Sequence, residues 1–145
     1  MPETYNVYID SNDASLPTDG NIANQYYINW ASIMPDGSYN VSFSFMCQSD
    51  DGILNTELGT VFCNLGGTNQ FKANGSATTV IGFLSIVNIA LASSYLYADI
   101  TTNPNVYLKQ RPNENALIVR ICDGLNPIDT LATVQYTLIL HFEKL

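Results

Sequence analysis

Carboxylates, one imidazole, three thiols and nine tyrosines are the side chains of this 145-residue chain with chemistry to offer. Asp10-Ser-Asn-Asp13, with Asp19-Gly20 beyond, places oxygen donors at close spacing, and oxygen is the ligand type that calcium takes. The run departs from the twelve-residue calcium loop because no glutamate closes it. Asp and Asn also fill ordinary loops, where their side chains cap their own backbone. Asp10, Asp13 and Asp19 therefore form a candidate calcium loop, with turn formation as the competing reading. Asp50 and Asp51 are adjacent, so they suit the turn at Gly52 better than the paired, separated carboxylates of a glycosidase. His141 has no second histidine beside it, which leaves a histidine metal site or a hydrolytic triad without parts. Its place in a strand, on the face opposite the large apolar residues, predicts a solvent- or interface-facing role. Cys47, Cys63 and Cys122 are not spaced as metal-binding pairs. Being odd in number and set in apolar runs, they read as buried, reduced thiols from a reducing compartment. No catalytic residue, metal centre or cofactor is expected, and the chain reads as a non-enzyme.

The tyrosines point to contact rather than catalysis. Tyr26, Tyr27, Tyr39, Tyr95, Tyr97, Tyr107 and Tyr136 all fall in strand-like runs. A tyrosine provides a large contact area with few rotors and a polar tip, which suits interfaces and sugar stacking alike. Tyr95 and Tyr97 share one face, as core or as a contact patch. Tyr26, Tyr95, Tyr97, Tyr107 and Arg111 are the candidate partner-interface residues. Charged residues make up 12% of the chain, about half the usual ~25%. Polarity comes from Asn, Ser and Thr, which are dried against a partner more cheaply than Lys and Glu.

Net charge bounds the partners further. At −8, with only five Lys and Arg, the chain has no basic cluster to neutralise phosphates, so nucleic acid is not an expected partner. Anionic membrane surfaces are disfavoured for the same reason. The longest apolar patch, Val80 to Ala92, is interrupted by Gly82, Ser85 and Asn88 and is too short to span a bilayer, so no membrane insertion is expected. Met1-Pro2-Glu3 shows neither the charged nor the apolar region of a signal peptide. Asn40-Val-Ser and Asn74-Gly-Ser match the glycosylation pattern, which without a secretion signal reads as coincidence.

Strands must position these side chains. In Val134 to Phe142 the residues Val134, Tyr136, Leu138, Leu140 and Phe142 share one face, and Gln135, Thr137 and His141 the other. A period of two is the signature of a strand. Tyr39 to Gln48 alternates in the same way, with hydroxyl residues between large apolar ones. Further strands are predicted at Tyr5–Ile9, Gln25–Trp30, Thr60–Leu65, Thr79–Ile89, Ser94–Ile100, Val106–Lys109 and Ala116–Cys122. Met34-Pro-Asp-Gly37 has turn chemistry and predicts a hairpin between Gln25–Trp30 and Tyr39–Gln48. Phe71, alone in a Gly- and Asn-rich loop, is expected to tuck back onto the body. No amphipathic helix, repeat or linker is visible. The expected fold is all-β: a two-sheet antiparallel sandwich forming a single jelly-roll domain over 1–145, with eight or nine strands.

The chain also resembles a known family. Its Tyr-x-Val-x-Ile opening, Tyr27-Ile-Asn-Trp30, and Pro35-Asp-Gly-Ser-Tyr39 leading into Val41-Ser-Phe-Ser-Phe45 are similar to the small single jelly-roll structural proteins of large icosahedral DNA viruses. Asn103-Pro-Asn-Val-Tyr-Leu108, Arg111-Pro-Asn113 and Tyr136-Thr-Leu-Ile-Leu-His-Phe142 extend the likeness over most of the chain. The resemblance implies a penton or minor capsid component of a virion. Such a protein is assembled in a host cytoplasm as a symmetric homo-oligomer, trimer or pentamer, and contacts a major capsid protein. The alternative from the residues themselves is a fibre-head or lectin-like sandwich that binds a receptor or glycan through Tyr and Asn in its end loops.

Overall fold

A computed structural model describes residues 3–13, 16–18, 23–49, 59–66, 71, 73–76, 80–88, 95–99, 106–123, 126–127 and 135–145. The long strands are β1 (Thr4–Asp10), β3 (Ala23–Tyr27), β4 (Tyr39–Ser49), β5 (Gly59–Cys63), β6 (Val80–Asn88), β7 (Tyr95–Asp99), β9 (Ala116–Asp123) and β11 (Gln135–Lys144). Short strands β2 (Leu16–Thr18), β8 (Val106–Leu108) and β10 (Asn126–Pro127) flank them, with a 3-10 turn at Ser11–Asp13 and a one-turn helix α1 at Trp30–Ile33. Every strand pairing among the described residues is antiparallel.

The eight long strands pair as a ribbon folded back on itself. β1 joins β11, β3 joins β9, β4 joins β7 and β5 joins β6, so the first half of the chain meets the second in reverse order. Contacts of β11 with β4, β5 with β9 and β6 with β7 complete the order β1-β11-β4-β7-β6-β5-β9-β3-β2. The result is an all-β sandwich, two antiparallel sheets packed face to face.

Alternation decides what fills the space between them. Along β11, Tyr136, Leu138, Leu140 and Phe142 are buried and Gln135, Thr137 and Glu143 are exposed, as the period of two predicts. Val7 and Ile9 of β1 and Val41, Phe43 and Phe45 of β4 join them in one core with Val61 and Cys63 of β5 and Leu117, Val119 and Ile121 of β9. Aromatic rings close one end of this core. Phe142 meets Trp30 edge-on at 5.6 Å and Tyr39 at 6.1 Å between ring centres, while Tyr5 meets Tyr39 at 6.3 Å. Cys63 is a buried thiol, and burial pushes its pKa far above the ordinary thiol range, which keeps it protonated and inert. Cys122 is also buried.

Three expectations are corrected. The segment Gln25–Trp30 is not one strand: β3 stops at Tyr27, Ile28 N–H bonds to Asn115 C=O at 2.8 Å, and Trp30 begins α1. The indole explains the break, because Trp30 is 2% exposed and donates from Nε1 to the Glu114 carbonyl at 2.8 Å. Reaching that position takes a turn of helix that a continuing strand would not provide. Second, the Pro35–Gly37 turn does not make a hairpin, because β3 pairs with β9 and β2 while β4 pairs with β11, β7 and β8. The turn carries the chain from one sheet to the other. Third, Phe71 does not tuck back but is 65% exposed.

Candidate interaction face

The outward side chains of β1, β11, β4 and β8 form a face that the register lays out in rows. Tyr8, Ile139 and Ser44 stand side by side, as do Asp10, Thr137 and Met46. Thr4, Glu143, Asn40 and Tyr107 make a row at the other end. Tyr8 is 71% exposed, Met46 61% and Tyr107 45%. Formal charge in these rows is confined to Asp10, in the row of Met46, and Glu143, in the row of Tyr107, so the rows between them present phenol, aliphatic, imidazole, hydroxyl and amide groups. The middle of the face loses little hydration energy when covered, because only the carboxylates at its two ends are strongly hydrated.

His141 lies in the middle of this face and is held there from both sides. Its Nδ1 lies 2.7 Å from Asn6 Oδ1 on β1, and its Nε2 lies 2.9 Å from Ser44 Oγ on β4. An amide oxygen only accepts, so Nδ1 carries the proton, and in the neutral ring Nε2 accepts from the Ser44 hydroxyl. The imidazole thus links three strands, and both ring nitrogens are already engaged with neighbours.

The core holds a second polar group. Asn24 Nδ2 donates to Tyr136 Oη at 2.9 Å, and the Tyr136 and Tyr26 hydroxyls bond to each other across the sandwich. Tyr136 also stacks on Phe45 at 5.8 Å. Burial is the main cause raising the pKa of both phenols. They stay protonated and serve as hydrogen-bonding struts between β3 and β11 rather than as nucleophiles.

The predicted site residues fall in different places. Tyr26 is in the core, 4% exposed, and not on a partner-facing surface, because β3 turns its ring towards Tyr136. Tyr27, its neighbour, takes the outside at 76% exposure. Tyr107 is on the outer face described above. Tyr95 and Tyr97 pair with Ser49 and Cys47 of β4, and their side chains lie outside the described residues. Arg111 braces the Pro35–Gly37 turn: Nη1 donates to the Met34 carbonyl at 2.9 Å and Nη2 pairs with Asp36 at 3.2 Å. Asp10 accepts from the Asn12 N–H at 2.9 Å, a local capping bond, and Asp13 is exposed in the 3-10 turn. Asp19 lies outside the described residues. Among the described residues, no group of three or more His, Cys, Asp and Glu is placed to hold a metal ion.

Tyr8 and Met46 were not singled out from sequence, although each had a readable signal. Tyr8 lies between the inward Val7 and Ile9, and Met46 follows the inward Phe45, so period-two parity sends both outward. No described helix is long and apolar enough to cross a membrane. Comparison of the chain with protein-family models and with curated proteins gave no match.

Proposed function

We propose that this protein is a non-enzymatic structural component of a virion. In this reading it is a single jelly-roll minor capsid or penton-type module that assembles with copies of itself, as a trimer or pentamer, and contacts a major capsid protein. The observation that carries the reading is the charge-poor outer face, on which Tyr8, Met46 and Tyr107 are exposed and Asp10 and Glu143 stand at opposite ends. The strand order supports it from the side of the fold. A ribbon of eight strands, first half against second half, wrapped into two sheets is the plan of a jelly roll, a fold common in capsid proteins. The family resemblance read from the sequence agrees with both. Closed rings of such modules use heterologous contacts, in which two different patches of each copy are complementary.

Light scattering after size exclusion at several concentrations tests this. A persistent trimer or pentamer is expected, and Tyr8→Lys combined with Met46→Lys should weaken it at least tenfold while leaving circular dichroism unchanged, an effect on the order of ~1.4 kcal/mol. A ring indifferent to both substitutions would remove the outer face from the argument. A protein that stays monomeric alone and when coexpressed with a coat protein, yet gains thermal stability with a glycan, would favour the lectin-like alternative.

A further inference from the structure

β1 ends the hydrogen-bonded order: among the described residues it pairs with β11 on one side and with no strand on the other. The register identifies the backbone groups left on that open side. Lys144 N–H bonds to Glu3 C=O at 2.9 Å, and the two residues are opposite in the β1–β11 register. In an antiparallel ladder such bonded pairs recur at every second residue. Tyr5, Val7 and Ile9 therefore turn their N–H and C=O towards β11, and Thr4, Asn6, Tyr8 and Asp10 turn theirs to the edge.

Natural edge strands usually carry a device against pairing: a lysine, a proline, a bulge or an inward charge. β1 has no lysine, proline, bulge or inward charge, and its one charged residue is Asp10 at its end. Its sequence is Thr-Tyr-Asn-Val-Tyr-Ile-Asp, and its pairing with β11 runs unbroken from Thr4 to Asp10. β2, at the opposite end of the order, carries Pro17 within three residues. Among the described residues the two ends differ, β2 carrying a proline and β1 presenting an unpaired row of N–H and C=O groups.

We propose that β1 is a homotypic docking edge. Two copies pair β1 against β1, antiparallel, across a two-fold axis at Val7, so that their outer faces join in one sheet. In this register Thr4 lies opposite Asp10 of the second copy and Asn6 opposite Tyr8 of the second copy. All four edge-facing residues of each strand then meet an edge-facing residue, and no N–H or C=O of the edge is left over. Other centres fit less well: centring the pair on Tyr8 would leave Thr4 beyond the second strand. Centring the pair on Asp10 would set two carboxylates against each other, and centring it on Asn6 would leave Asp10 beyond the second strand. Centred on Val7, the strand's one charge faces a hydroxyl. Tyr8 falls beside Asn6 of the second copy, which extends the uncharged face across the axis. The contact is isologous and closes at two copies, unlike the contacts of a three- or five-membered ring, so either can fail without the other.

Sedimentation equilibrium of the full chain reads the dimer constant directly. The wild type is expected to show a concentration-dependent dimer. Thr4→Asp sets like charges opposite each other at two symmetric positions and should weaken the dimer roughly 2- to 30-fold. Thr4→Asp combined with Asp10→Lys makes both positions opposite in charge and should bring the constant back towards wild type. Thr4 and Asp10 are both exposed, and circular dichroism checks that each variant is folded. A monomeric wild type overturns the proposal, as does a dimer constant indifferent to Thr4→Asp. Weakening without recovery in the double variant overturns the Val7-centred register and with it the proposal. A trimer or pentamer that ignores residue 4 overturns the edge contact and leaves the ring reading standing.

Discussion

Tyr136→Phe is the sharpest test of how the two sheets are held together. The substitution keeps the ring that stacks on Phe45 at 5.8 Å and removes only the hydroxyl that Asn24 and Tyr26 share. Asn24 is 5% exposed and Tyr26 4%, so water does not easily replace the lost partner. A buried polar group left unsatisfied costs about 1–3 kcal/mol. For a chain of this length that lowers the melting temperature by roughly 2–12 °C. Tyr26→Phe should cost less, about 0.5–1.5 kcal/mol, because the Tyr136 hydroxyl keeps its bond from Asn24. The two losses share one hydrogen bond, so the double variant should fall short of their sum by about 0.5 kcal/mol or more. Denaturant titration of the four proteins measures all three quantities. Alkaline pH gives a second readout. Burial raises both phenols above the ordinary 10.0, so the folded state holds protons that the unfolded state releases. Their contribution is complete below pH 10 and is lost as pH rises above it, with a slope of at most about 1.4 kcal/mol per pH unit for each phenol. Tyr136→Phe should flatten that decline. Strict additivity, or a Tyr136→Phe cost below about 0.5 kcal/mol, would refute the reasoning.

Four further substitutions probe other parts of the structure. Leu138→Asp puts a carboxylate at a 0% exposed position in the middle of the core and should abolish folding, which the loss of soluble protein or of the cooperative melt would show. Arg111→Ala should cost about 1–2 kcal/mol in denaturant titration, mostly from the charged bond to the Met34 carbonyl, because Asp36 is 86% exposed and its ion pair is screened. Asp36→Asn should accordingly stay within about 0.5 kcal/mol of wild type. His141→Ala breaks two hydrogen bonds at the solvent-facing side of the sheet and should cost only about 0.5–1.5 kcal/mol while the fold persists by circular dichroism.

The strands were legible where one face is dry and the other wet. β11 and β4 alternate without interruption, and their inward residues follow from parity alone. The end of β3 was not legible, because it depends on a partner far away: Trp30 seeks the Glu114 carbonyl, 84 residues on, and no local propensity records that. The missing hairpin has a similar cause. Pro35-Asp-Gly37 specifies a change of direction, but whether the chain returns along the same sheet or crosses to the other is decided by which strand β3 meets, and that strand is β9. Tyr26 and Tyr27 show the limit for single side chains. Parity separates the two rings, and only the position of Tyr136 across the sandwich decides which one goes inside.

For the interaction face, sequence supplied the residue types and the fold supplied the neighbours. Tyr8, Ile139 and Ser44 come from three distant parts of the chain, and only the β1–β11–β4 register makes them a row. The same register accounts for the neighbours of the lone histidine. Period two sends His141 outward, antiparallel pairing places Asn6 opposite it on β1, and Ser44 lies diagonally across on β4, so its hydrogen-bonding capacity goes to joining strands. A sheet face built this way is stiffened by its own polar groups while its largest exposed side chains stay uncharged. A charge-poor face of this kind gives up little hydration when a second surface covers it, which is the physical ground of the proposed assembly.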